Sequence, residues 1–338
     1  MRAVVIHGKE DIRVEEVPTP KPGPGEVLMR VAYAGICGSD LHYYFEGANG
    51  EFKVREPLIP GHEVCGVVAE DPDGKFAPGT PITLHPATFG TSLPGIEDEP
   101  HLWPNGAYLG SASTMPHTQG GMSEYLLLRH DQVRVLPDDL SMKRAVLSEP
   151  TAVGLHAVHR AGDLKGKKVL VSGAGPIGLL TAGAALANGA EDLWVCDLFE
   201  KPLQRATSLG VAGTINVTET PLEAESFDVV LECSGAFPAM SSAINAVRRR
   251  GLVVQVGMVP GGDIPIVLAP LISKEATMLG VFRFRDEVDD SIYVLRDNPK
   301  LENVLTHIIA ADDAKGAFEI ARDSRESGKV AVNLWYED

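Results

Sequence analysis

Hydrophobic and polar residues alternate along the N-terminal part of the chain. The segments AVVIHG (3–8), DIRVEEV (11–17) and EVLMRVAYAG (26–35) show this alternation, and Pro-Gly clusters such as PTPKPGPGE (18–26) separate them. A period of two is typical of half-buried strands, and clustered Pro and Gly mark turns. Because no long helical period occurs here, we predict a small, irregular β-rich domain over residues 1–147.

From Ser148 onward, helical and strand patterns alternate. The segment SEPTAVGLHAVHRAG (148–162) has apolar residues at helical spacing, and the strand-like KKVLVS (167–172) follows it. The helix-like segment LLTAGAALANGA comes next. Further strand-like segments follow it, namely DLWVCD, GTINV, FDVVLECSG, GLVVQVG and ATMLGVF. About six strands that alternate with helices predict a doubly wound parallel sheet able to bind a dinucleotide. We assign residues 148–286 to this domain and the α/β class to the fold.

Three further segments carry structural predictions. After Asp286 the pattern predicts a helix and then a last strand, KVAVNLWY (329–336), so we expect residues 287–338 to return to the first domain. The segment MSSAINAVRRRG (240–251) is predicted as a helix whose solvated end carries the three arginines. The segment IPIVLAPLISKEATMLGV (264–281) is apolar enough for a subunit interface or for an ordinary core strand.

The chain is acidic, with 46 Asp and Glu against 30 Lys and Arg and a formal net charge of −16. This charge repels nucleic acids and anionic membranes, so neither is expected as a partner. No apolar run approaches the ~18 residues needed to span a bilayer, and the first residues turn acidic too early for a targeting peptide. We therefore expect a cytoplasmic protein that acts on a small molecule.

A glycine-rich turn follows the strand-like KKVLVS and opens the next helix-like segment. It matches the pattern GxGxxG and consists of Gly173, Ala174, Gly175, Pro176, Ile177 and Gly178. Such glycines permit a tight turn and let a pyrophosphate approach the N–H groups at the helix start. Asp197 ends the next strand, at the spacing of about 20 residues where an acid binds the adenosine ribose and disfavours a 2′-phosphate. We predict NAD as the cofactor, although Lys201 could reach a phosphate; the alternative is a strand–turn–helix with an accidental acid.

Cys37 stands among polar residues, in AGICGSDLHYYFEG (34–47). The other cysteines occur in apolar strand-like segments, where buried free thiols are expected: Cys65, Cys196 and Cys233. His62 and Glu63 begin one such segment, and Glu149 precedes the nucleotide-binding domain. A thiolate, an imidazole and one or two carboxylates form a plausible set for a catalytic zinc. Because these residues are far apart in sequence, their spacing leaves a zinc site and a buried thiol equally open.

The order of these motifs resembles that of the zinc-dependent medium-chain dehydrogenase/reductase family over essentially the whole chain. GICGSDLH (35–42), GHE (61–63), Glu149-Pro150 and GAGPIG (173–178) occur in the family's order. The polyol dehydrogenase branch looks nearest, because Glu149 stands where alcohol dehydrogenases carry a second cysteine ligand. The stretches GSAS, PHTQGG, VQVGM and FRFR look like those of members that oxidise a sugar acid.

This resemblance implies a GroES-like catalytic domain joined to a Rossmann domain, with zinc bound by Cys37 and His62. It also implies that Glu63 is a ligand or supports one, and that Glu149 binds zinc directly or through a water. Loop residues that follow a strand of the Rossmann domain are implied to contact the cofactor: Val256, Gly257 and Met258. Family members are dimers or tetramers, so a homodimer or homotetramer is expected.

The implied reaction is oxidation of a secondary alcohol of a sugar acid or polyol by hydride transfer to NAD, with zinc lowering the pKa of the hydroxyl. In the family, the residue at the position of Ser39 takes the proton and the histidine at the position of His42 passes it towards solvent. The two residues are three apart and share one face of a helical turn. Ser39 is equally suited to cap that helix, and the two roles are compatible.

Three residues are candidates for substrate contacts. Tyr43 follows the relay histidine, Arg283 has the planar guanidinium that suits a carboxylate, and His117 is the other candidate for the acid end of a sugar acid. Arg283 could instead bind a hydroxyl or the cofactor, or be an exposed loop arginine. The alternative for His117 is a loop histidine that caps backbone groups.

One segment departs from the family's pattern. Most zinc enzymes of the family hold a second, structural zinc with four cysteines, but residues 85–111 contain none. We therefore expect one catalytic zinc and no structural zinc, with Phe89, Trp103 and the prolines packing this segment. A dinucleotide-binding protein without catalysis and a zinc-free reductase of the same fold are both disfavoured, because Cys37, His62 and the relay residues are present.

Overall fold

The computed structural model describes residues 1–259 and 261–337, which form two compact units. The first unit contains Met1–Glu149, Leu305–Asp323 and the chain from Lys329 onward. The second contains Pro150–Val304 and the short segment Ser324–Gly328. The predicted α/β class is confirmed, with one β-rich unit and one unit built on a parallel sheet.

The N-terminal part of the first unit consists of short strands and little helix. Its elements are β1 (Arg2–Gly8), β2 (Asp11–Glu16), β3 (Glu26–Gly35), α1 (Gly38–Glu46), β4 (Ala48–Asn49), β5 (Phe52–Lys53), β6 (Glu63–Glu70), β7 (Pro81–Leu84), β8 (Ala87–Thr88), β9 (Ala107–Tyr108), β10 (Tyr125–Arg129), β11 (Val133–Val135) and α2 (Met142–Ala145). A 3-10 turn covers Pro100–Leu102. The alternating segments predicted as strands are β1, β2 and β3.

The second unit is a parallel sheet with helices between its strands. The first residues of α3 (Ser148–Ala161) belong to the first unit, and the rest of this helix belongs to the second. The other helices and strands of the second unit are β12 (Lys168–Ser172), α4 (Pro176–Ala187), β13 (Asp192–Asp197), α5 (Glu200–Leu209), β14 (Gly213–Asn216), β15 (Phe227–Glu232), α6 (Phe237–Ala246), β16 (Val247–Gln255), α7 (Ala269–Ser273), β17 (Thr277–Gly280) and α8 (Glu287–Asp297). A 3-10 turn at Pro299–Val304 follows α8. The strand order is β14-β13-β12-β15-β16-β17. This order is that of the dinucleotide-binding fold, in which the order of strand addition reverses between the parallel strands β12 and β15.

The remaining elements return to the sheet of the first unit. They are β18 (Leu305–Ala310), a 3-10 turn at Ala311–Asp313, α9 (Ala314–Arg322) and β19 (Lys329–Asn333). The sheet has the order β11-β7-β6-β3-β19-β18, and β10 also pairs with β3. β19 lies antiparallel to β3, with Ala331 opposite Gly35. The last strand thus lies next to the end of β3, where Cys37 follows.

The second unit extends past the predicted boundary at residue 286. Val288 of α8 packs with Ala152 and Phe284 in one buried cluster. Leu301 approaches so closely that a Cβ on Gly183 of α4 would lie 2.2 Å from its Cδ2. Long-range packing of this kind leaves no local pattern from which the boundary could be predicted.

The three arginines of residues 248–250 lie in a strand, so the predicted helical end was wrong. α6 ends at Ala246, and β16 starts at Val247, which pairs with Phe227 of β15. Arg248 forms an ion pair with Asp228, and Arg249 forms one with Glu225 at 3.1 Å. Strand pairing and these ion pairs therefore override the local preference for helix.

Across residues 1–259 and 261–337, no helix combines the length and the apolar character needed to cross a lipid bilayer.

Candidate metal centre and dinucleotide site

Three candidate zinc ligands meet in the first unit. One side-chain ligand atom each of Cys37, His62 and Glu63 lies within 4.8 Å of the other two. Cys37 follows β3, and Glu63 begins the neighbouring strand β6, where it pairs with Gly35. The pairing of two strands therefore joins ligands that are far apart in sequence.

Gly35 and Asp40 allow the three side chains to approach one another. A Cβ on Gly35 would lie 2.0 Å from Oε2 of Glu63, so a side chain at this position would displace the carboxylate. Asp40 is wholly buried, and its carboxylate accepts hydrogen bonds from the backbone N–H of Cys37 at 2.9 Å and of Gly61 at 3.2 Å. Asp40 thus holds the segment of Cys37 against the segment of His62.

Glu63 has one oxygen in an ion pair and one without a partner. Nζ of Lys329 donates to Oε1 of Glu63 at 2.6 Å and to the carbonyl of Ile36 at 3.0 Å. Both charged side chains are buried. Oε2 of Glu63 is buried and has no hydrogen-bond partner among the described residues. A buried carboxylate oxygen without a donor is costly, and a metal ion would satisfy it.

Glu149 lies close to this group but outside the set of three. Its Oε1 accepts a hydrogen bond from the Tyr108 hydroxyl at 2.6 Å. Burial raises the pKa of Glu149, and the neighbouring Glu63 raises it further. The ring of Tyr108 also packs edge-on against His62, with centroids 5.3 Å apart. Tyr108 therefore orients both a candidate ligand and its neighbour.

The site carries more negative than positive groups. Burial by itself lowers the pKa of His62, but Cys37, Asp40 and Glu149 together raise it to about 10. Lys329 is the other cation that contacts the group. A pocket that favours a protonated histidine so strongly also favours a divalent cation in place of the proton. Sulfur, nitrogen and oxygen donors together suit zinc, so the residues present fit this ion.

A second group of possible metal ligands is explained by its own hydrogen bonds. Ligand atoms of Asp71, Asp73 and His130 also lie within 4.8 Å of one another. The Asp71 carboxylate already accepts hydrogen bonds from the N–H groups of Phe76 at 2.8 Å and of Asp73 at 3.1 Å, and it contacts Nε2 of His130 at 3.0 Å. These contacts stabilise a turn, so we assign no metal to this group.

The proposed relay residues lie on α1. Cys37 is the N-cap of this helix and Ser39 lies in its first turn, so the alternative that Ser39 caps the helix was wrong. His42 is exposed and its Nδ1 lies 2.9 Å from Oε1 of Glu46. Neither side chain is a partner in the hydrogen bonds of Asp40, Lys329 and Tyr108 described above.

Two of the candidate substrate residues anchor loops. The buried Tyr43 hydroxyl accepts a hydrogen bond from the N–H of Ala112 at 3.1 Å. Nε2 of His117 accepts one from the N–H of Arg55 at 2.9 Å, and Nδ1 lies 2.9 Å from the carbonyl of Thr114. Both ring nitrogens of His117 are thus engaged by the backbone, as in the alternative considered from the sequence.

The segment 85–111 is held by backbone contacts and aromatic side chains. Nε1 of Trp103 donates to the carbonyl of Ile96 at 2.8 Å, and the rings of Phe89 and His85 lie 5.1 Å apart. Gly90 permits a very close chain approach, since a Cβ there would lie 1.8 Å from the carbonyl oxygen of Pro104. These contacts hold the segment in which the family resemblance would have placed the cysteines of a structural zinc.

The other cysteines lie outside the metal group. All four cysteines are free thiols. Cys65 and Cys196 are buried, and burial raises the pKa of Cys196 to about 11. Burial also raises the pKa of Cys233. The expectation of free thiols in these positions is confirmed.

The glycine-rich turn of the second unit connects β12 to α4. Gly173 has a φ of +95°, and a Cβ on Gly178 would lie 1.8 Å from the carbonyl oxygen of Gly173. Gly175 is the N-cap of α4 and Pro176 is its first residue, with Ile177 following. The first N–H groups of α4 have no intrahelical acceptor and are suited to bind phosphate.

Asp197 ends β13 beside this turn. Its Oδ2 accepts a hydrogen bond from the N–H of Ala174 at 2.7 Å, and its Oδ1 accepts one from the N–H of Leu198 at 2.7 Å. These bonds fix the carboxylate at the carboxyl end of the strand, where the fold binds the adenosine ribose. Lys201, in the first turn of α5, forms an ion pair with Glu326.

The other candidate cofactor and substrate residues follow β16 and β17. The N–H groups of Val256 and Gly257 donate to the carbonyl of Glu232 at 2.8 and 2.9 Å, and Met258 is 76% exposed. Arg283 has a φ of +52°, and its guanidinium lies 4.7 Å from the centroid of the Phe282 ring. All of these residues lie at the carboxyl edge of the parallel sheet.

Sequence reasoning missed Asp40, Tyr108 and Lys329. Asp40 left a detectable signal, because it stands three residues after the N-cap in a capping-box position. Lys329 lies 266 residues from Glu63, and the sequence gives no sign of the contact.

In comparisons with known proteins, each of the two units matches a known domain family. Residues 23–138 match the alcohol dehydrogenase GroES-like domain, and residues 176–296 match the family described as zinc-binding dehydrogenase. The chain is 32% identical to L-idonate 5-dehydrogenase (NAD(P)(+)) of Escherichia coli over 98% of both chains. It is 34% identical to sorbitol dehydrogenase of Gallus gallus over 95% of this chain and 93% of the relative. The crystal structure of L-idonate 5-dehydrogenase from Escherichia coli superposes with a TM-score of 0.91 at 30% identity, covering 98% of this chain and 97% of that one.

Proposed function

The chain belongs to the family of zinc-binding dehydrogenases with a GroES-like alcohol dehydrogenase domain, and from this premise we propose that it oxidises a secondary alcohol of a sugar acid with NAD. The proposed substrate is L-idonate, and the proposed product is 5-keto-D-gluconate. The observation that carries the proposal is the group formed by the half-buried Cys37 and the buried His62 and Glu63, which combines a zinc-binding donor set with an unpartnered carboxylate oxygen.

Cys37, His62 and Glu63 would hold one zinc ion, with Glu149 acting directly or through a water. When bound, zinc acts as a Lewis acid that lowers the pKa of an alcohol, and NAD accepts the hydride. Ser39 would accept the alcohol proton while its own hydroxyl proton leaves towards solvent through the exposed His42. No second, structural zinc is proposed, because residues 85–111 contain no cysteine.

Arg283 is proposed to bind the substrate carboxylate. It follows β17 at the carboxyl edge of the sheet, and a guanidinium binds a carboxylate through two parallel hydrogen bonds. The second candidate is a neutral polyol dehydrogenase acting on sorbitol or xylitol. The 34% identity to a sorbitol dehydrogenase favours that reading as much as the 32% identity favours L-idonate.

The deciding experiment measures NADH formation with L-idonate, sorbitol and xylitol, before and after removal of zinc by a chelator. We expect zinc-dependent turnover of L-idonate and little turnover of the neutral polyols. Replacing Arg283 by glutamine should raise the KM for L-idonate about tenfold or more, since a charge-assisted hydrogen bond contributes about 1.5–3 kcal/mol. Turnover of sorbitol or xylitol alone would establish the second candidate, and zinc-independent turnover would contradict the mechanism.

NAD is proposed to be preferred over NADP because of Asp197 and Glu326. Asp197 would bind ribose hydroxyls and repel a 2′-phosphate. Glu326 neutralises Lys201, a cation that lies four residues after Asp197 in the first turn of α5. Replacing Glu326 by glutamine should therefore tighten NADPH binding about five- to tenfold and leave NADH binding unchanged, since a freed lysine gains one charge-assisted contact. Fluorescence titration with each coenzyme measures this.

Glu191 provides the matched control for Glu326. It is an exposed glutamate that precedes β13, at the opposite end of this strand from Asp197. Replacing Glu191 by glutamine changes the net charge by the same amount and should alter neither affinity. Equal gains in NADPH affinity for both variants would mean that net charge, and not the Lys201–Glu326 pair, decides the preference.

A homodimer is proposed through β17. This strand is at the edge of its sheet among the described residues, and nearby apolar side chains are exposed, namely Val267, Leu268 and Ile272. An edge strand beside exposed apolar residues is suited to pair with a second copy. Light scattering gives the mass of the particle in solution.

A further inference from the structure

Glu232 lies at the end of β15 and is wholly buried, yet the mechanism above does not use it. Its carboxylate accepts four hydrogen bonds, all from uncharged donors. Oε1 accepts from the N–H of Ser234 at 2.9 Å and from the Ser234 hydroxyl. Oε2 accepts from the N–H of Gly235 at 3.0 Å and from Nε2 of Gln255 at 2.6 Å.

The backbone of Glu232 extends this network to a second loop. Its carbonyl accepts hydrogen bonds from Val256 at 2.8 Å and from Gly257 at 2.9 Å. Nε2 of Gln255 also donates to the carbonyl of Gly257 at 2.8 Å. One residue therefore holds both the loop after β15 and the loop after β16.

These two loops lie so close to each other and to the glycine-rich turn that a side chain would not fit at the glycines where they meet. A Cβ on Gly257 would lie 2.2 Å from the nitrogen of Gly235. A Cβ on Gly173 would lie 3.0 Å from Cβ of Ser234. The network of Glu232 thus continues through Ser234 to the turn that is suited to bind the pyrophosphate.

The hydrogen-bond network of Glu232 lies at the part of the sheet where a coenzyme would bind. In parallel sheets of this type, ligands bind outside the carboxyl ends of the strands at the point where the strand order reverses. That point lies between β12 and β15, the strands that end in Ser172 and in Glu232. The three loops that meet here are therefore the ones that would form the coenzyme crevice.

We propose that Glu232 is a positioning residue for coenzyme binding, which sets the mutual placement of the loops after β12, β15 and β16. This inference rests on the proposed function, since it requires that the second unit bind a nicotinamide dinucleotide. A carboxylate fits this network because each of its two oxygens can accept two hydrogen bonds. A glutamine in its place would turn one NH2 group towards two donors.

Asp228 offers a matched control on the same strand. It lies near the amino end of β15, where its carboxylate accepts a hydrogen bond from the N–H of Lys168 at 2.7 Å and pairs with Arg248. Replacing Asp228 by asparagine therefore also removes a carboxylate that links neighbouring strands of this sheet. It does so at the end of the sheet away from the three loops.

The test compares NADH affinity, measured by fluorescence titration, with thermal stability for Glu232→Gln and Asp228→Asn. Both variants should melt at a lower temperature than the unaltered protein. Only Glu232→Gln should weaken NADH binding, by about 10- to 100-fold, since small misplacements of binding groups cost this much. The KM for NAD should rise with it, while zinc content and the KM for the alcohol stay unchanged.

An NADH affinity of Glu232→Gln within twofold of the unaltered protein would overturn the inference, whatever happens to its melting temperature. If this variant does not fold, Gln255→Leu replaces it, because it removes one donor to Glu232 and the bond to Gly257; unchanged affinity there has the same meaning. If the unaltered protein and Asp228→Asn also fail to bind NADH, the proposed function itself is contradicted, and this inference with it.

Discussion

Replacing Cys37 by serine is expected to prevent zinc binding at the proposed centre and to abolish turnover. Cys37 supplies the one thiolate in a group whose ligand atoms lie within 4.8 Å of one another, and a serine hydroxyl remains protonated and binds zinc poorly. Because a Lewis-acidic metal contributes several kcal/mol to such a reaction, activity should fall at least about 1000-fold. Metal analysis of the purified variant, together with NADH formation, measures both effects.

The control for this variant is His130→Ala, which disrupts the second group of possible ligands. Zinc content should remain at one ion per chain and activity should persist, because the Asp71 carboxylate in that group is already satisfied by backbone N–H groups. Loss of a metal ion from His130→Ala would contradict the assignment of a single zinc. Full zinc content in the Cys37 variant would contradict the proposed centre.

Replacing Lys329 by methionine is expected to destabilise the metal-free protein by about 3–5 kcal/mol, the usual cost of removing one partner of a buried ion pair. Lys329 and Glu63 are both buried, and their charged atoms lie 2.6 Å apart. Without the ammonium group, the Glu63 carboxylate would face Cys37 and Glu149 with no cation beside it except a protonated His62. Urea denaturation of the metal-free chain measures the loss.

A double variant separates the ion pair from the packing of the lysine stem. Adding Glu63→Gln to Lys329→Met removes the uncompensated charge, so it should restore part of the lost unfolding free energy. Replacing Arg13, which pairs with Asp11 at the surface, should change the stability far less. A Lys329→Met variant as stable as the unaltered metal-free protein would show that the pair contributes nothing.

The structure also shows which contacts were beyond sequence reasoning. Asp40 could have been found, since it stands in a capping-box position after Cys37. Glu232 appeared only within the strand-like segment FDVVLECSG, and its carboxylate accepts hydrogen bonds from the loop after β15 and from Gln255 at the end of β16. Nε2 of His117 accepts a hydrogen bond from the N–H of Arg55, which is 62 residues earlier, so this contact depends on the fold and not on neighbouring residues.

The local features of the chain follow from its sequence alone. Alternating and helical periods placed β1 to β3, β12 to β17 and the helices α3 and α4, and the glycine-rich turn lies between β12 and α4 as its spacing requires. The polar surroundings of Cys37 and the absence of cysteine from residues 85–111 are likewise properties of the sequence. These features depend on residues a few positions apart, which interact through the backbone geometry of one element.

The assembly of the candidate metal centre depends on contacts between distant parts of the chain. The pairing of β3 with β6 brings Glu63 opposite Gly35, and the return of β19 places Lys329 on the Glu63 carboxylate from 266 residues away. The arginines of residues 248–250 became part of a strand because β15 and two acidic residues were there to pair with them. Contacts of this range are set by strand register and by burial across the whole unit, and no local period of the chain encodes them.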